Sequence, residues 1–315
     1  MTFKSEAFDV SVTVPCNSPA PPSYDAISTS TVSADSIWSK LCRWIFPRAS
    51  LQSKQECLSC IRAIVSSPDY SPSFVAQTAS ACVATLPAAE FSKLLQQPNI
   101  EDHTAPYWAI VNNRLEALWA FMDFIPDPSP ACYSDLRLAC MMVGDNTLFT
   151  QLDLREIVSS KDDSLRQFLG CTPDEVQIQE SSGRFVASFC FRMFQKRLRT
   201  AQAIAVEYLA RGRMWTLWFY LCSDGKWVVD CRLEEPSLPV EGSNQLRIEA
   251  HRKSPDCATP EPLIITTEFS LAPESGSCIP RPLIYYRLGD WPMDNDTVYV
   301  DCEGTLHMSL TITVK

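Results

Sequence analysis

Residues 99–113 read "NIEDHTAPYWAIVNN", and residues 114–125 continue with "RLEALWAFMDFI". Apolar residues recur at helical spacing on both sides of Asn112-Asn113, which indicates two short helices joined by a polar turn. A related pattern, "SDLRLACMMVGDNTLFTQL" at 134–152, places Ala139 thirty residues after Ala109. The stretch 99–152 therefore predicts a helix-turn-helix unit followed by a less regular copy.

The first unit resembles an ankyrin repeat, in which a Thr-Pro-Leu-His-x-Ala segment begins the first helix. Thr104 matches the capping threonine, Tyr107 stands at the usual histidine, and Ala109 matches the small packing residue. The resemblance implies stacked helix pairs that bind other proteins. The residues that carry it are Asp102, His103, Thr104, Tyr107, Trp108, Ala109, Asn112 and Asn113.

The unit also departs from the ankyrin pattern. Pro106 is shifted by one position, and His103 replaces the usual glycine. Because roughly three repeats are needed to bury a stacked core, the helical patterns at 53–97 are expected to supply the neighbours. In them Ser71 is the predicted helix cap before Pro72. The alternative is a generic helical bundle that shares a turn with ankyrin repeats.

Residues 1–34 are rich in Ser, Thr and Pro and predict a disordered tail. The tail contains Pro21-Pro22-Ser23-Tyr24, a PPxY sequence that resembles the ligands of WW domains, including those of HECT-type ubiquitin ligases. Polyproline segments dock readily into aromatic grooves. Pro21, Pro22 and Tyr24 are thus a predicted WW-ligand motif, and a chance match in a Pro-rich linker is the alternative.

Residues 35–50 predict a short amphipathic helix. Its apolar face contains Ile37, Leu41, Trp44 and Ile45, and Lys40, Arg43 and Arg48 supply positive charge. An interfacial membrane helix has this composition. The simpler interpretation, which we favour, is a helix that docks on the domain that follows. Membrane-surface association is the minor alternative.

From residue 174 onward the period changes from helical to alternating. Short β-branched and aromatic runs are separated by turn signals at Ser181-Ser182-Gly183, Arg211-Gly212-Arg213 and Asp224-Gly225-Lys226. Eight or nine such strands predict an antiparallel β-sandwich. The predicted fold is α+β: a helical ankyrin-like domain at 51–170 followed by a separate β-sandwich at 174–315.

The aromatic spacing of "RMWTLWFYLCSDGKWVVDCRL" (213–233) is faintly similar to the meprin-and-TRAF-homology sandwich, a family that binds short peptides along a sheet. Trp215, Trp218 and Trp227 are predicted to fill the core, with a surface peptide groove as the alternative. The basic residues of "FQKRLR" (194–199), with Arg211 and Arg213, are interpreted as a solvated strand edge. The alternative for them is a site for an acidic segment.

Composition and net charge limit the classes of function that we expect for this protein. The net charge is −10, and residues 51–180 hold 17 acidic and 8 basic residues, hence −9 of it; this disfavours nucleic acid as a partner. No signal peptide or membrane span is visible, so a cytoplasmic (or nuclear), non-secreted protein with reduced thiols is expected.

The Cys57-x-x-Cys60 pair lies in a helical pattern without further metal ligands nearby.

Catalytic fingerprints such as G-x-S-x-G, H-E-x-x-H, the P-loop and the dinucleotide-binding motif are absent from the sequence. We therefore expect a non-catalytic interaction protein (an adaptor or scaffold) with no cofactor, metal or catalytic residue. Its expected partners are other proteins, among them WW-domain proteins. The alternatives are a membrane-peripheral ubiquitin-ligase adaptor recruited through the PPxY sequence and, less favoured, an enzyme housed in the sandwich.

Overall fold

The computed structural model describes residues 54–67, 71–156, 160–253, 258, 260–271, 284–289, 291–295 and 297–315. In this part of the chain helices come first and two antiparallel sheets follow, which confirms the predicted α+β class. The predicted tail, with its PPxY sequence, and the predicted amphipathic helix at 35–50 lie outside the described residues.

Eight helices precede the first strand in the described residues, and polar caps fix several of their ends. The hydroxyl of Ser71 accepts a hydrogen bond from Phe74 N, as predicted, and Ser129 accepts one from Cys132 N in the same way. The helices are α1 (Lys54–Ser66), α2 (Pro72–Thr85), α3 (Ala88–Gln96), α4 (Ala105–Val111), α5 (Leu115–Met122), α6 (Pro130–Val143), α7 (Asn146–Gln151) and α8 (Ser160–Phe168).

Nine strands and one further helix make up the C-terminal part of the described chain. The strands are β1 (Glu175–Ser181), β2 (Arg184–Phe191), β3 (Ala203–Ala210), β4 (Arg213–Leu221), β5 (Trp227–Leu233), β6 (Val240–Ile248), β7 (Leu263–Leu271), β8 (Ile284–Gly289) and β9 (Leu306–Val314), and helix α9 (Phe194–Ala201) joins β2 to β3. One sheet has the order β1-β2-β9-β6-β7, and the other β3-β4-β5-β8. The three predicted turns are present as hairpins, with left-handed glycines at Gly183, Gly212 and Gly225.

The two sheets share one hydrophobic core. Alternate residues of strands in both sheets point into it, as the period of two requires. The buried Phe185 and Phe189 belong to the five-stranded sheet, and the buried Val206 and Leu217 belong to the four-stranded one. At Gly242 the strands β6 and β9 approach so closely that a Cβ would lie 2.0 Å from Thr313 O. The helices α1–α8 and both sheets belong to one compact unit, Ser50–Lys315.

Candidate interaction surface

The predicted turn before α4 is held by α6. The main chains of Ile100 and His103 exchange two hydrogen bonds, and Glu101 and Asp102 between them have positive φ. The carboxylate of Asp135 in α6 accepts a hydrogen bond from Thr104 N at 2.6 Å and lies 2.9 Å from Nδ1 of His103. One acidic side chain of α6 therefore fixes the loop that precedes α4.

The remaining residues of this stretch are engaged within the fold. The ring of Tyr107 stacks on that of His103 with 3.7 Å between centroids, and Nε1 of Trp108 donates to Ile100 O at 2.7 Å. Thr104 occupies the cap position of α4, but its hydroxyl makes no capping hydrogen bond, contrary to the role expected of it. Ala109 is fully buried.

The turn predicted at Asn112-Asn113 is present between α4 and α5. Asn113 has a left-handed φ of 53°, and the Asn112 amide donates to Val65 O of α1 at 2.8 Å. Asn112 thus ties this helix pair to the preceding helices. The structure brings the predicted residues 102–113 together, and their contacts hold the helices in place. Of these residues, Asp102 and Asn113 are exposed to solvent.

A buried ion pair joins the helices to the four-stranded sheet. Arg137 of α6 donates from its two terminal nitrogens to Glu207 of β3, at 3.0 and 3.1 Å, and also donates to Leu154 O. Glu207 is fully buried and accepts a further hydrogen bond from Glu156 N. Burial alone would lower the pKa of Arg137, but the hydrogen bonds and charge of Glu207 outweigh it and raise that pKa.

The interpretation of residues 194–199 as a solvated strand edge is wrong, because a second buried cation lies there. These residues belong to α9, and Arg197 is fully buried in it. Its five N–H donors are all used: Asp162 and Asp174 each accept two hydrogen bonds at 2.6–2.8 Å, and Arg192 O accepts the fifth. The two carboxylates raise the pKa of Arg197 despite its burial. Arg197 therefore fastens α8 to the strands.

A cavity of about 430 Å³ lies beside this network, against Ala205 of β3. Its charged groups are already paired: Arg166 contacts Asp163 and Asp174, and Arg155 lies 3.8 Å from Asp153. Neither a histidine nor a serine is among the residues that line it. Thr150 and Cys171 do line the cavity, but the Thr150 hydroxyl donates to Asn146 O, and no histidine base stands beside either side chain among the lining residues.

Exposed apolar residues follow, along the chain, the two residues that join α6 to the loop after β5. Met141 Sδ lies 3.8 Å from Ser237 Oγ, and a Cβ at Gly212 would lie 3.8 Å from Met141 O. The next residues along the chain are open to solvent: Met142 is 63%, Val143 44% and Leu238 71% exposed. We call these three residues, with Arg211 and Arg213 of the adjacent hairpin, the seam surface.

The two arginines of the seam surface have no carboxylate partner for their guanidinium groups in the described part of the chain. Arg213 donates to the main-chain oxygens of Arg211, Leu238 and Pro239, at 3.0–3.3 Å, and Arg211 donates to Ser181 O. The nearby Glu180 accepts from the main-chain N of Arg211. Burial and the charge of Arg211 lower the pKa of Arg213. The seam surface is therefore apolar and positively charged.

The three tryptophans expected in the core do not share one environment. Trp215 and Trp227 are buried between the sheets, but Trp218 lies on the outer face of β4. The prediction that Trp218 fills the core is therefore wrong. The Arg232 guanidinium carbon lies 5.8 Å from the Trp218 ring centroid. Arg232 also pairs with Asp230, the cross-strand neighbour of Trp218, at 2.6 Å.

Sequence reasoning missed the residues that join the two halves. Arg137 and Glu207 are 70 residues apart, and Arg197 is 35 and 23 residues from its two partners, so no local pattern reports either contact. One signal was available for Trp218, because residues three apart on a strand point to opposite faces. Trp215 and Trp218 could not both have been inside.

No family model matches this chain, and none of the curated proteins compared with it does. None of the helices in the described ranges combines the length and apolarity needed to cross a membrane. Likewise, no group of three or more His, Cys, Asp and Glu side chains in the described chain could hold a metal ion.

Proposed function

We propose that this chain is a non-catalytic interaction protein, an adaptor or scaffold, and that a partner protein binds at the seam surface. The observation that carries the proposal is that the exposed Met142, Val143 and Leu238 flank the contact between Met141 and Ser237, near two guanidinium groups that have no carboxylate partner in the described chain. Apolar side chains exposed next to one another mark binding sites more often than scattered ones do.

The helix and the strand beneath the seam surface are held together, and this supports the same proposal. Arg137 and Glu207 lock α6 onto β3, and α6 contributes Met142 and Val143. Gly144 ends this helix with a left-handed φ of 71°, and its N–H bonds back to α6 carbonyls. A surface assembled from a helix end, a hairpin and a loop can bind without ordering itself first, which lowers the entropic cost of association.

The proposal also covers two finer features of the fold, the pairing of the helices and the packing of the two sheets. We propose that α4 with α5, and α6 with α7, are two degenerate ankyrin-like helix pairs, supported by the 30-residue repeat and by the Asp135 clamp between them. We also propose that the two sheets form a β-sandwich, supported by their shared core. On this account the PPxY sequence in the tail remains a separate WW-domain ligand, and Tyr24 is its key residue.

The test is quantitative affinity capture with the full chain from cell lysate. Four proteins are compared: wild type, Leu238→Glu, Tyr24→Ala and the control Ile264→Glu, which changes a half-exposed apolar residue on β7 of the other sheet. The proposal requires at least one protein whose recovery falls with Leu238→Glu and is unchanged by Ile264→Glu. If the captured proteins are the same for all four baits, the proposed function is wrong.

A further inference from the structure

The seam surface has a composition that identifies the kind of partner it fits. Its apolar part consists of Met142, Val143 and Leu238, of which the unbranched Met142 adapts to differently shaped partners. Its polar part is positive, because Arg211 and Arg213 donate only to main-chain oxygens among the described residues.

The two arginines also affect each other. Burial and then the charge of Arg211 lower the pKa of Arg213, so the Arg211 guanidinium disfavours the positive charge of Arg213. An added carboxylate near this pair would relieve the repulsion and accept charge-assisted hydrogen bonds. A basic partner would increase the repulsion and be rejected.

We propose that the seam surface binds an acidic segment with interspersed apolar residues, presented by a partner protein. The apolar side chains of that segment pack on Met142, Val143 and Leu238, and its carboxylates pair with Arg211 and Arg213. This inference rests on the proposed function, since it names the partner class of the same surface. The two positive guanidinium groups favour an acidic occupant, and the sedimentation and flotation tests below separate this segment from a second copy of the chain and from an anionic lipid headgroup.

The first test is an unbiased selection. The full-length protein is used to select binders from a random 15-residue display library, with Met142→Glu/Leu238→Glu protein as the counter-target. We expect enriched peptides with a net negative charge that contain Leu, Ile, Phe or Met. Enriched peptides that depend on the surface but are neutral or basic would overturn this inference while leaving the proposed function intact. Absence of any peptide that distinguishes the two targets would contradict both.

The second test measures affinity of the best acidic peptide by fluorescence anisotropy. Arg211→Gln should weaken binding by about tenfold, the effect of roughly one lost charge-assisted contact. Raising salt from about 0.05 to about 1 M, which shortens the screening length from over 10 Å to about 3 Å, should weaken binding several-fold. Binding that is indifferent to both salt and Arg211→Gln would overturn the inference. Ile264→Glu serves as the control and should bind as wild type does.

Sedimentation of the free protein and a vesicle flotation assay test the two other possible occupants, a second copy of the chain and a lipid surface. The expected result is a monomer at micromolar concentration with or without the Met142→Glu change. Self-association that this substitution abolishes would assign the surface to a second copy and overturn the inference. So would flotation of the wild type, but not of Met142→Glu, with anionic phosphatidylserine vesicles.

Discussion

The guanidinium of Arg137 in α6 and the carboxylate of Glu207 in β3 form two parallel hydrogen bonds of 3.0 and 3.1 Å in the interior of the protein. This pair determines how the helices meet the four-stranded sheet. It therefore also determines where Met142 and Val143 emerge beside the β3–β4 hairpin.

Arg137→Met should lower the free energy of unfolding by about 3–5 kcal/mol, because it leaves the buried Glu207 charge without a cation. Arg137→Met/Glu207→Gln should cost less than Arg137→Met alone, since the uncompensated charge is removed while an acceptor for Glu156 N remains. Urea unfolding of the two proteins and wild type gives the comparison. The control Arg247→Met breaks a half-exposed pair with Glu249 and should cost much less than Arg137→Met, because solvent screens exposed ion pairs. A double variant less stable than the single one would refute this account of the pair.

Gly242→Ala should destabilise the protein because the new methyl group would lie 2.0 Å from Thr313 O. Strands β6 and β9 would have to separate, at a cost of about 1–3 kcal/mol, as for other overpacked sites. Gly144→Ala is the comparison: its Cβ meets no atom within 4 Å, and only the left-handed backbone opposes it, at about 1 kcal/mol. Thermal unfolding should rank Gly242→Ala as the less stable protein. The reverse rank would mean that the two strands lie further apart than described here.

Asp135→Asn should loosen the loop at residues 100–104. Asp135 bonds both Thr104 N and the His103 ring, and an amide offers one oxygen where the carboxylate offers two. We expect a loss of about 1.5–3 kcal/mol in the free energy of unfolding, the range for a hydrogen bond to a charged group. Amide hydrogen exchange should be faster at Thr104 in the variant. Asp127→Asn in an exposed loop is the control, and equal exchange in all three proteins would argue against the clamp.

Asp230 should make stability depend on pH in a defined direction. Burial raises the pKa of this carboxyl above its usual 3.8, although the hydrogen bond and charge of Arg232 oppose the shift. Between 3.8 and the raised value the native state holds more protons than the unfolded state. The contribution of Asp230 to stability is therefore greatest below pH 3.8 and falls as pH rises through that window.

The measurement for Asp230 is the difference in unfolding free energy between wild type and Asp230→Asn from about pH 3 to about pH 7. Wild type should lose stability relative to the variant as pH increases, because the amide at position 230 does not titrate. A difference that grows in favour of wild type over the same window would mean that the pairing with Arg232 outweighs burial.

Local sequence patterns predicted the elements of this fold better than their contacts. The hairpin at Asp224-Gly225-Lys226 and the turn at Asn112-Asn113 follow from backbone preferences of those residues, and both are present. The helix α9 was misread because "FQKRLR" alone is too short to show a helical period, and the burial of Arg197 depends on Asp162 and Asp174 far along the chain.

The seam surface could not be predicted for a related reason. Met142 lies in an apolar helical stretch whose exposed positions depend on tertiary contacts, and Leu238 lies between prolines in a loop. The contact between Met141 and Ser237, which brings these segments together, joins residues 96 positions apart. Sequence reasoning did identify Arg211 and Arg213 as a basic concentration and named an acidic segment as one alternative.

The central claim is that the seam surface binds a partner protein, and the dissociation constant of a captured partner tests it most directly. It is measured for wild type, Leu238→Glu and Ile264→Glu by titration with purified full-length proteins. The account predicts that Leu238→Glu weakens binding by at least about tenfold, or about 1.4 kcal/mol, and that Ile264→Glu binds as wild type does. Equal dissociation constants for all three proteins would contradict it.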